Sequence, residues 1–144
     1  MSDVRVFLSY DVDHDVDLGD RLCEQSSRGG WGFSLVARSA SGEVTDRWCE
    51  AVRLRIRESD QVIVICGEHT AESLRVDVEL RIAQEEQKPC LMLWGRRDHM
   101  CTMPARAKRN ESMYRWTRET LLEQLSPRLR NAQSTGSADA GKRP

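Results

Sequence analysis

Two stretches of the chain, Val62-Ile63-Val64-Ile65-Cys66 and Cys90-Leu91-Met92-Leu93-Trp94, are continuously apolar, and each is closed by a glycine. Short runs with no polar face read as strands covered on both sides, as in a parallel sheet. Val4 to Tyr10 and Phe33 to Val36 read as two further strands. Between the strands the period changes. Leu18 and Leu22 recur at helical spacing, and the segment stops at Arg28-Gly29-Gly30, which predicts a helix over about 14–27. Acids at 11, 13, 15, 17 and 20 crowd its start, where the helix dipole favours negative charge. After the polar loop 38–46, Thr45 or Asp46 can cap a second helix with Trp48, Cys49, Val52 and Ile56 on one side.

Leu74-Arg75-Val76-Asp77-Val78-Glu79-Leu80-Arg81-Ile82 alternates with period two, which by pattern alone is a strand. Two facts oppose that reading. Parallel strands at 62–66 and 90–94 need a crossover between them, and Ala83 to Lys88 are good helix formers. A helix over about 73–87, capped by Ser73, is therefore expected. Its apolar residues would point in many directions, so it needs a second cover opposite the sheet, for which a neighbouring subunit is a candidate. Residues 96–110 are basic and irregular. Glu111 to Leu125 reads as a last helix, with Met113, Trp116, Thr120, Leu121 and Leu125 inward. Residues 131–144 hold no large apolar residue and are expected to be disordered.

Four strands alternating with helices make a flavodoxin-like three-layer α/β sandwich, a parallel sheet of order 2-1-3-4 with a C-terminal helix. One domain over 1–130 and a tail over 131–144 account for the chain. Ligands of such sheets bind at the carboxyl ends of the strands, beside the point where the strand order reverses. The loops there are Ser9 to His14 and Gly67 to Glu72.

The net charge of −1 hides a split: residues 1–88 carry −7 and residues 89–144 carry +6. No nucleic-acid motif accompanies the basic region, so a nucleic-acid partner is not expected. Five cysteines at 23, 49, 66, 90 and 101 form no paired spacing, and Cys66 and Cys90 lie in apolar runs. With no signal-peptide pattern at the start and no run long enough to cross a membrane, a reducing, cytoplasmic setting is expected. Cys101, in the basic loop, is the thiol expected to be exposed.

Several chemistries are disfavoured by spacing. The run Asp11-x-Asp13-x-Asp15-x-Asp17 has Leu18 where a calcium loop needs glycine, and a strand rather than a helix precedes it. No dinucleotide fingerprint, Walker loop or nucleophile elbow is present, and no metal site is expected. The third strand ends in Cys66-Gly67-Glu68, without a phospho-acceptor aspartate. Arg38 and Arg47 offer only an unspecific phosphate contact.

Val6-Phe7-Leu8-Ser9-Tyr10-Asp11, extended by Asp13-His14-Asp15, resembles the first box of TIR domains. The likeness is strongest to the TIR-like branch of ThsB, from bacterial Thoeris antiphage defence. Trp48, Ile56 to Asp60, Val62 to Thr70, Val78 to Ala83, Pro89 to Arg96 and Tyr114-x-Trp116-Thr117 continue the resemblance over residues 3–125. It implies a TIR-like domain that cleaves NAD⁺ at the nicotinamide–ribose bond, with NAD⁺ as substrate and no cofactor. An ADP-ribose-derived product, cyclic or conjugated, would activate a separate antiphage effector after a phage-derived trigger. The glutamate that TIR enzymes carry in the helix after the third strand matches Glu79. Ser9, Tyr10, Asp11 and His14 are the expected pocket floor, with Trp48 and His69 as walls. The loop after strand 2 reads Ala37-Arg38-Ser39-Ala40-Ser41-Gly42-Glu43-Val44, without the proline many TIR domains have. A homo-oligomer is expected, and a catalytically silent TIR-like assembly module is the alternative.

Overall fold

The computed structural model describes residues 3–107 and 111–125; the tail expected to be disordered and the end of the 1–130 domain lie outside them. The strands are β1 (Val4–Ser9), β2 (Phe33–Arg38), β3 (Gln61–Cys66), β4 (Cys90–Trp94) and β5 (Met113–Arg115). Helices α1 (Val16–Arg28), α2 (Asp46–Arg57), α3 (Leu74–Glu85) and α4 (Arg118–Gln124) connect or follow them. The sheet has order β2-β1-β3-β4-β5, and every pairing is parallel. The expected order 2-1-3-4 is thus present, with a fifth strand added at the far edge. That strand corrects the reading of 111–125 as one helix. Met113 to Arg115 pair with Met92 to Trp94, and only 118–124 are helical, capped by Thr117, whose hydroxyl accepts from the Thr120 amide.

Alternation along each strand sorts the core into two layers. Val4, Val6, Leu8 and Tyr10, with Ile63, Ile65, Leu91 and Leu93, pack against Leu18 and Leu22 of α1 and Leu121 of α4. Phe7, Val62, Val64, Cys66 and Met92 face the opposite layer, where Val52 and Ile56 of α2 and Val76, Val78, Leu80 and Ile82 of α3 lie. The helix reading of 74–82 holds, and Ser73 caps it by accepting from the Val76 amide. The chain itself supplies a second cover for it. Arg53 and Arg57 of α2 pair with Glu85 and Glu86 at its end. The 101–107 segment folds back over it, with Arg106 on Asp77 and the Arg106 carbonyl accepting from Gln84. Cys101 is buried in that layer rather than exposed, because the basic loop is this cover.

Two glycines are fixed by what lies opposite them. A Cβ at Gly19 would meet the Tyr10 ring, and one at Gly67 would overlap the Asp15 carboxylate. Both residues hold α1 close to the carboxyl edge of the sheet.

Candidate functional site

Ser9 is the last residue of β1, and Ser39 follows the last residue of β2. The parallel register sets Leu8 beside Arg38, and the Ser39 amide donates to the Leu8 carbonyl at 2.8 Å. The two hydroxyls therefore come together at the point where the strand order reverses. Between them sits Glu79, from the second turn of α3. Ser9 Oγ donates to Glu79 Oε1 at 2.6 Å, and Ser39 Oγ donates to the same oxygen at 2.7 Å. Glu79 is 0% exposed, and its other oxygen, Oε2, has no hydrogen-bond partner among the described residues. Burial pushes its pKa up from 4.5 to about 7, against the two serine hydrogen bonds and the charge of Arg75.

Around Arg75, one turn before this acid, lies a cleft of about 460 Å³ lined also by Asp11, His14, Gly42, His69 and Ser73, among others, but not by Glu79, Ser9 or Ser39. Asp11 is buried, and its carboxylate accepts from the Asp13 amide and from His14 Nδ1, the latter at 2.7 Å. That hydrogen bond raises the His14 pKa. The imidazoles of His14 and His69 stack with centroids 4.0 Å apart. Arg75 lies one turn before Glu79 on α3; its Nε donates to the Gly42 carbonyl at 2.7 Å, and it pairs with Asp13. The loop after β2 thus closes over the acid through Ser39 and latches onto α3 through Gly42.

The expected site residues separate into two groups. Ser9, Asp11, His14, His69 and Glu79 gather on this side. Tyr10 does not join them. It follows Ser9 by one residue, so its ring enters the opposite layer, where its hydroxyl accepts from Arg38 Nε at 2.6 Å. Trp48 packs into the α2–α3 layer without lining the cleft, and its indole nitrogen is buried without a partner among the described residues. Arg38, considered for phosphate, is engaged by Tyr10 and Asp20. Ser39 and Arg75 were not anticipated. The order 2-1 and the position of Ser39 just past the second strand are the signals that lead to it.

Among the described residues, no group of three or more His, Cys, Asp or Glu is arranged to hold a metal. No described helix is long and apolar enough to cross a membrane.

A parallel sheet of order β2-β1-β3-β4-β5 with helices on both faces is a flavodoxin- or TIR-like α/β domain. The model of one family, the TIR-like domain of Thoeris protein ThsB, matches residues 7–99, and the chain belongs to that family. No curated protein matches the chain. Among solved structures, a crystal structure of a prokaryotic SEFIR domain is similar, with a TM-score of 0.48 and 17% identity over 82% of this chain and 90% of that one.

Proposed function

We propose that this chain cleaves NAD⁺ at the nicotinamide–ribose bond, with Glu79 as the carboxylate that meets the ribose, and that the ADP-ribose-derived product signals to a separate effector. The observation that carries this reading is Glu79 itself: a fully buried carboxylate, held by two hydroxyls at the switch point, near a cleft edged by histidine and arginine.

The bond breaks with both electrons going to the nicotinamide nitrogen, so the leaving group departs neutral. Positive charge then develops at the ribose C1′, and a nearby carboxylate stabilises it or holds the ribose hydroxyls. Water at C1′ yields ADP-ribose and a proton. An internal adenine nitrogen or ribose hydroxyl yields a cyclic product, and an external amine or imidazole yields a conjugate. A site that closes against water favours the last two. The carboxylate acts when ionised, and the pyridinium charge of the substrate favours that state.

Glu79 is covered in this conformation, so turnover requires the 39–45 segment to move. Breaking the Arg75–Gly42 and Ser39–Glu79 hydrogen bonds would join the acid to the cleft. The alternative of an assembly module without turnover loses one motive, since α3 is covered by the chain's own α2 and 101–107 segment.

The test is nicotinamide release from NAD⁺ at high protein concentration, with and without infected-cell extract, for wild type and Glu79→Gln. Release that vanishes in a folded variant supports the reading, and product mass with retention time separates hydrolysis, cyclisation and conjugation. No release from wild type in an extract that activates a related system would overturn it in favour of the assembly module.

A further inference from the structure

A second cavity, of about 550 Å³, opens at the carboxyl ends of β4 and β5. It is lined by Arg21 and Gln25 of α1, by Trp94, Gly95 and Arg97, and by Met113, Arg115, Trp116 and Thr117. It shares no lining residue with the cleft around Arg75. Four of its residues lie beyond the 7–99 span of the family match.

Its charge is one-sided: three arginines and no carboxylate line it. Most other described arginines are paired with acids, Arg47 and Arg118 being exceptions. Arg5, Arg28, Arg38, Arg53, Arg55, Arg57, Arg75, Arg81, Arg96 and Arg106 each pair with an acid. Arg21, Arg97 and Arg115 have no carboxylate partner among the described residues. Guanidiniums lining one cavity without an acid favour an anion, and their planar forks suit phosphate oxygens. Two indoles complete the site. Trp116 is held edge-on by Nε1 donating to Gln25 Oε1 at 2.9 Å, with Arg21 over its ring at 5.4 Å. Trp94 is fixed by Nε1 donating to the Arg96 carbonyl at 2.8 Å. Both indole donors are thus used internally, so the two rings meet the cavity as aromatic walls fixed in place. The volume falls within the range of small-molecule pockets.

We propose that this cavity binds a nucleoside di- or triphosphate, with its phosphates on Arg97 and Arg115 and its base against the Trp94–Trp116 walls. The proposal stands apart from NAD⁺ cleavage, because it uses none of the residues around Glu79. Arg96 links the two regions. It follows Gly95 of the cavity, and its guanidinium donates to Asp15, Asp17 and the His14 carbonyl.

The experiment is calorimetric titration of the full chain with ADP, which has no nicotinamide bond to cleave, followed in parallel by tryptophan fluorescence. Pyrophosphate, adenosine and a single-stranded oligonucleotide are the other arms. The expected result is saturable ADP binding with fluorescence quenching, at least tenfold tighter than either half of the ligand alone. Arg97→Ser and Arg115→Ser should each weaken it tenfold or more, while Glu79→Gln leaves it unchanged. Both arginines are exposed, so these variants should fold, as circular dichroism would check. Absence of ADP binding overturns the proposal, as does binding insensitive to both arginine variants. An oligonucleotide that binds more tightly than ADP through the same arginines would overturn it in favour of a nucleic-acid surface. Absence of nicotinamide release from wild type, with ADP binding intact, would overturn only the reading of Glu79.

Discussion

The two halves of the sheet's carboxyl edge solve opposite electrostatic problems. At β1 and β2 an acid is enclosed, given two hydroxyl donors on one oxygen, and left with the other oxygen unpartnered among the described residues. At β4 and β5 three guanidiniums stand around open space. The first half stores a cost inside the fold, because an ionised carboxylate is poorly solvated there. The second leaves its charges in water, where unpaired arginines cost little. A site whose charge is buried should respond strongly in stability when altered, and one whose charge is exposed should respond mainly in binding.

The largest effect should come from Glu79→Gln, which is expected to lower NAD⁺ cleavage at least 10³-fold, about 4 kcal/mol of transition-state stabilisation. Nicotinamide release measures it, and unchanged ADP titration in the same variant would confirm that the halves are separate. Next is stability. The folded pKa of Glu79, about 7, lies above its ordinary 4.5, so the folded state holds the proton to higher pH than the unfolded state does. Wild-type stability should therefore fall, relative to Glu79→Gln, as pH rises through that window, by about 3 kcal/mol in all. Urea unfolding at pH 4 and pH 8 reads this, and a difference independent of pH would place the acid in water instead.

A smaller effect is expected where the halves meet. Asp15 is 2% exposed, and Arg96 is its cationic partner at 3.0 Å. Arg96→Ala should cost about 2 kcal/mol at neutral pH, because it leaves that carboxyl buried without its donor. The loss should shrink on acidification, since burial already raises the Asp15 pKa and its protonated form needs no cation. Smallest is Arg115→Ser, which should shift unfolding by less than about 0.5 kcal/mol, as an exposed and unpaired charge does. A large shift there would end the contrast between the halves.

The layers were legible from the sequence because the apolar runs at 62–66 and 90–94 admit little besides buried parallel strands. The crossover rule then decided α3 against its own period-two pattern. β5 was not legible: Met113-Tyr114-Arg115 is three residues long, and its strand character comes from the neighbouring edge of β4. Glu79 was reached through family resemblance, and nothing in the local pattern separates it from the surface acids of a helix. Ser39 needed the register between β1 and β2, which is tertiary information. Ser9-Tyr10 reads as one patch in the sequence, whereas Tyr10, just past the end of β1, continues the strand's alternation into the layer opposite Ser9. Cys101 was expected in water because the return of 101–107 over α3 depends on contacts far along the chain.

All five strands pair in parallel, so no two of them can meet through a tight turn, and each pairing waits for an intervening segment to be laid down. β1 and β3 carry the longest wait, since residues 10–60, with α1, β2 and α2, must be laid down between them, whereas β4 and β5 are separated only by 95–112. Sheets of such non-local pairings form slowly. The β1–β3 pairing at the centre of the sheet should therefore be the last to close.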